Sequence, residues 1–227
     1  MDLKEAAAIL RQDEYNSWIK RFNWQFMDER IKSEFDKCKL DSSSENELGT
    51  LYLSRLKDDS DKYKNYQSTQ YINATHVMTG ARLLGTYVFD KDKDTFTMAR
   101  ERSAQLWYSQ GPAGDVLVCV SPYQSDLDKI DENEIIIGRY QDPYQINELV
   151  IKKHFEIFFR YCTCTSLYSI LRFKPYLYRQ YLVLNDLRLR TKFLKKIIRI
   201  GERVAIVFLA AAAILVSLYI AGKFPFI

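Results

Sequence analysis

Arg100 and Arg102, two residues apart with apolar residues at the alternate positions on either side, are the residues with most chemical potential in this 227-residue chain. If Thr95 to Ser109 is one extended strand, alternate side chains share a face. Phe96, Met98, Arg100, Arg102, Ala104, Leu106 and Tyr108 then lie together, and Glu101 points the other way. Guanidinium groups among apolar neighbours need an anionic partner. The planar fork of arginine suits bidentate phosphate recognition. Tyr87, Trp107 and Tyr108 supply rings that could stack on a base. This pattern predicts a pocket for a small anionic ligand, such as a nucleotide messenger. Internal ion pairing, or a bulge that exposes both arginines, would satisfy the same charges. Ser121-Pro-Tyr123 follows the VLVCV strand and offers hydroxyls at a turn, either at the mouth of such a pocket or in a plain loop.

Other chemistry is sparse. No phosphate-binding loop, dinucleotide fingerprint, nucleophile elbow or HExxH helix occurs. His76 and His154 have no spaced partner that would make a triad, and His154 reads as a structural or surface residue of an amphipathic helix. Paired carboxylates fall in charged turns, such as Asp90 to Asp94, where a solvated face is expected. Cys162 and Cys164 are one residue apart, a spacing of neither a zinc knuckle nor a redox pair. Neither a metal site nor a cofactor is expected, and the cysteines suit a reducing compartment. The expectation is a protein that is not an enzyme.

The elements that must position these residues are read from periodicity. Leu3 to Lys37 is helical, with Tyr15, Trp18, Ile19, Phe22 and Phe26 continuing into Ile31 and Phe35 as an expected core stripe. A short helix is expected over Glu45–Lys57, and a polar linker over Asp58–Asn73. Four strands come next: Ala81–Phe89, Thr95–Ser109, Val116–Val120 and Glu134–Tyr140. Met98–Tyr108 also contains good helix formers, but the Gly111-Pro-Ala-Gly114 turn favours a strand. After Pro143 the chain is helical again. The fold class is therefore α+β: N-terminal helices, a small antiparallel meander or barrel, then helices leading into one C-terminal transmembrane helix. The divisions are 1–73, helical; 74–145, antiparallel β; 146–203, helical and basic; 204–221, the span; and 222–227, a short tail.

The span rests on Val204–Ala221, 18 residues without charge or proline. As a helix it is about 27 Å long, near the thickness of a bilayer's hydrocarbon core. Charge is distributed unevenly around it. Met1 to Leu171 holds 22 Lys/Arg against 27 Asp/Glu, whereas Arg172 to Arg203 holds 10 against 2. Arg188, Arg190, Lys192, Lys195, Lys196, Arg199 and Arg203 precede the span and only Lys223 comes after it, so the bulk of the chain is expected in the cytosol and the C-terminus outside. The basic block suits anionic lipid, and no nucleic-acid partner is expected. Pro175–Leu184 mixes aromatics with bases. It suits either a segment lying in the headgroup layer or a helix packed on the sheet.

These features predict a tail-anchored protein whose β-rich domain senses a small anionic ligand or a protein partner. It would act at the membrane, with homo-oligomerisation into a pore as one mode of action. A cytosolic β-rich domain joined to a short membrane segment is a layout also seen in bacterial antiviral effectors, a likeness without matched motifs. A scaffolding anchor that recruits partners, or an enzyme of unfamiliar type, are the alternatives.

Overall fold

The computed structural model describes residues 1–40, 42–55, 72–90, 94–127 and 134–189. The fold is α+β, with N-terminal helices and antiparallel sheets. The chain divides into one compact unit, Met1–Val183, and a second, Leu184–Ile227. Most of the second unit, including the apolar run 204–221 and the basic residues from Arg190 onward, lies outside the described residues.

Helix α1 (Leu3–Lys39) starts at Asp2, whose carboxylate accepts from the Glu5 N–H at 2.7 Å. A short α2 (Ser42–Leu48) leads into strand β1 (Leu51–Arg55), where a longer helix is expected from the sequence. Then come β2 (Ala74–Thr79), β3 (Arg82–Asp90), β4 (Thr95–Arg102), β5 (Gln105–Gln110), β6 (Val116–Ser121), β7 (Gln124–Ser125) and β8 (Ile135–Tyr140). Helix α3 (Glu148–Thr165) is capped by Asn147, and α4 (Phe173–Asn185) comes after it.

The single strand expected over Thr95–Ser109 is two strands in two sheets. Ser103 sits at φ 65°, a left-handed conformation that ends β4, and the chain restarts as β5. One sheet runs β1-β2-β5-β6-β8 and the other β3-β4-β7, all pairs antiparallel. The core lies on one face of the five-stranded sheet. Val77, Leu106, Tyr108, Val118 and Val120 meet Trp24, Met27 and Ile31 of α1 and Ile151, Phe155 and Phe158 of α3. Residues from the stretches 1–73, 74–145 and 146–203 thus share one hydrophobic core. Gly114, at φ 79°, lets the β5–β6 turn approach α1; a Cβ there would stand 2.5 Å from the Lys20 Cβ.

The aromatic stripe of α1 divides. Ile31 and Phe35 are buried, whereas Tyr15, Trp18, Ile19, Phe22 and Phe26 are between 44 and 56% exposed. At 100° per residue these five lie on the side of the helix opposite Trp24, so they are not core residues.

Candidate functional site

The hairpin β3–β4 carries the two arginines. Its register pairs Leu83 with Arg100, Tyr87 with Met98 and Phe89 with Phe96. Tyr87, Phe96, Met98, Arg100 and Arg102 therefore share a face, joined by Leu83 and Phe89. That face is open. Arg100 and Arg102 are 50 and 57% exposed at their side chains and share one carboxylate, Asp126, at 3.8 and 4.0 Å. The residues of this strand that enter the interior are Ala99 and Glu101, and Glu101 is fully buried. Only the β4 part of the expected face, Phe96, Met98, Arg100 and Arg102, is shared, and it is turned outward; Ala104, Leu106 and Tyr108 are buried in the other sheet.

Glu101 is held by three donors. Ser166 Oγ donates to it at 3.1 Å, the Leu167 N–H donates to Oε1, and Arg82 Nη1 lies 3.4 Å from Oε2. The Arg82 guanidinium also sits 5.5 Å from the centre of the Tyr168 ring, and the Tyr168 hydroxyl donates to the Leu84 carbonyl. These contacts clamp the hairpin to the segment that leaves α3. These donors satisfy the lone pairs of a carboxyl group that has no access to solvent.

Tyr108, expected beside the arginines, is in the other sheet and buried against α3. Its hydroxyl is 3.2 Å from His154 Nδ1, and the Tyr140 hydroxyl is 2.9 Å from His154 Nε2. A neutral imidazole donates through one nitrogen and accepts through the other, and the two hydroxyls can supply both complements. Burial, reinforced by the charge of Lys153, lowers the His154 pKa from 6.5 to about 4. Burial raises Tyr108 and, to a lesser degree, Tyr140 above their ordinary range. Both ring nitrogens of the neutral imidazole are thus satisfied.

Ser121 ends β6, half-buried. Tyr123 is buried, and its hydroxyl donates to the Leu48 carbonyl at 2.5 Å. It therefore ties the turn between β6 and β7 to the end of α2. Arg188 lies in the second unit, where Nη2 reaches Asp186 Oδ2 at 2.9 Å. Arg190, Lys192, Lys195, Lys196, Arg199 and Arg203 lie outside the described residues. The structure thus gathers Arg100, Arg102 and Tyr87 on one face, and places Tyr108, Ser121 and Tyr123 elsewhere.

A polar group inside α1 escapes sequence reading. Asp28 is buried; it accepts from the Thr75 hydroxyl at 2.6 Å and lies 3.4 Å from Arg55 Nη1. It fixes α1 across β1 and β2. Among the described residues, no group of three or more His, Cys, Asp or Glu could hold a metal ion. Among the same residues, no helix is long and apolar enough to cross a membrane. Compared with protein families, characterised proteins and solved structures, the chain shows no match.

Proposed function

We propose that this is a tail-anchored membrane protein that works by recognition and assembly. Its α+β unit sits on the cytosolic side and associates with copies of itself at the bilayer. The observation that carries assembly is the outer face of α1. Tyr15, Trp18, Ile19, Phe22 and Phe26 form one open stripe, and Phe22 and Phe26 pack edge to face at 6.0 Å. Contiguous exposed aromatics of this kind mark interaction surfaces. A helix face is readily self-complementary about a two-fold axis. The membrane half of the reading rests on the 18-residue run Val204–Ala221 and the bases before it.

The test is the mass of the full chain in detergent, beside Phe22→Glu. A discrete oligomer that falls to monomer in the variant supports assembly through α1. A wild-type monomer removes the assembly, and with it pore formation, leaving a scaffold or sensor.

A second reading keeps the arginine face as a ligand site. Arg100 and Arg102 share a single carboxylate, so one positive charge remains uncompensated within this local trio. A phosphate approaching this open face would meet two forks beside Tyr87 and Phe96.

A further inference from the structure

Helix α4 has two unlike sides. Tyr178, Arg179 and Leu182 face the protein, with Tyr178 stacked 4.0 Å beneath the Arg160 guanidinium of α3. The opposite side carries Phe173, Tyr176, Leu177 and Tyr181, which are 72, 49, 49 and 61% exposed. At 100° per residue these four fall within one arc, roughly opposite Arg179 and Leu182. Leu171, next to the helix, is 96% exposed. Such a surface is poorly suited to bulk water.

The stretch of chain beyond α4 points to the occupant of that side. Residues 186–203 separate Asn185 from the apolar run at Val204 and hold seven Lys/Arg against Asp186 and Glu202. Eighteen residues reach about 27 Å as a helix and at most about 65 Å extended. If the run spans a bilayer, α4 cannot leave the neighbourhood of that bilayer. The tether is cationic, and Arg172 and Lys174 add charge beside the apolar side. An anionic lipid surface complements both features. The aromatic and aliphatic side chains suit the boundary between headgroups and acyl chains, where tyrosine can keep its hydroxyl wet.

We propose that α4 lies in the headgroup layer of an anionic membrane, its Phe173–Leu177–Tyr181 side turned to the acyl chains. This rests on the membrane reading above. It adds a second attachment beyond the span, and it fixes the orientation of the α+β unit on the bilayer. The recognition surface on α1 would then be presented by a docked domain rather than by one swinging on a tether.

The full chain, in a Cys38→Ser background, carries Leu177→Cys with a nitroxide and is reconstituted into phosphatidylcholine vesicles with or without phosphatidylserine. Glu156→Cys, on the exposed side of α3, is the water reference. The expected result is a severalfold rise, relative to Glu156→Cys, in the ratio of oxygen to nickel-chelate collisions. That rise should be larger with phosphatidylserine. A nickel-dominated signal at Leu177→Cys in chain that resists alkaline carbonate overturns the docking alone. So does a label shielded from both colliders, which would mean that a second copy covers α4. Chain stripped from the vesicles by carbonate overturns the docking together with the membrane reading. An oxygen preference equal in both lipids overturns the anionic requirement.

Discussion

Protonation of His154 should make this fold acid-sensitive by a calculable amount. The imidazole is 3% exposed, and burial lowers its pKa from 6.5 to about 4. The unfolded chain therefore binds the proton first as the pH falls. Stability from this group is complete above pH 6.5, declines below it, and is exhausted near pH 4. Between pH 7.5 and 5.0 the loss is ~2 kcal/mol, taking about 1.4 kcal/mol per pH unit below 6.5. At an m-value of about 2 kcal/mol/M, that moves a urea midpoint by roughly 1 M. The assay is urea unfolding of the full chain in detergent at both pH values, monitored by the fluorescence of its three tryptophans, of which Trp24 is buried. The comparison is His154→Gln, which is less stable throughout but does not titrate. Carboxylates titrate in both proteins, so the difference between their pH shifts isolates the imidazole. Equal shifts in the two proteins would refute the buried, neutral histidine.

The hairpin supplies two further expectations. Glu101→Ala strands Arg82, the Ser166 hydroxyl and the Leu167 N–H, and should cost about 3–5 kcal/mol in the same unfolding measurement. A loss below ~1 kcal/mol would mean that the clamp is replaced by water. Arg100→Ala with Arg102→Ala should leave stability within about 1 kcal/mol, since both side chains are half exposed. If the arginine face is a ligand site, the double variant should also lose any thermal shift given by a nucleoside triphosphate. A wild-type chain with no such shift counts against that reading.

What the sequence made legible is local. The 3.6-residue period locates α1 and α3, and the two-residue period places Phe96, Met98, Arg100 and Arg102 on one face. Which face is buried is not a local property. Glu101 faces inward because Ser166 and Leu167, some 65 residues later, offer it donors. Read alone, a carboxylate flanked by arginines points to solvent. The break at Ser103 carries no glycine or proline to announce it. Leu51–Arg55 is helical by its neighbours and becomes a strand by pairing with Thr75–Thr79. His154 shows the same limit, since its two tyrosine partners come from β5 and β8 and no short-range spacing links them.

The α1 stripe argues the point from the opposite direction. Aromatics at helical spacing are ordinarily core, and in α1 that holds from Trp24 onward on one side of the helix only. The helix has apolar residues on two sides, and the core formed by the described residues covers one of them. The same is true of α4. In both helices the surplus apolar side lies outside the core that the described residues form. Under the proposed reading the cover comes from beyond the unit, and the sequence holds matching features: an 18-residue apolar run for lipid, and a basic approach to it for anionic headgroups. Lipid can satisfy α4, which is tied to that run by 18 residues. On the same proposal, the stripe on α1 is the surface that meets a second copy of the chain. The proposed reading thus assigns the two open faces two different occupants, lipid for α4 and a second copy of the chain for α1.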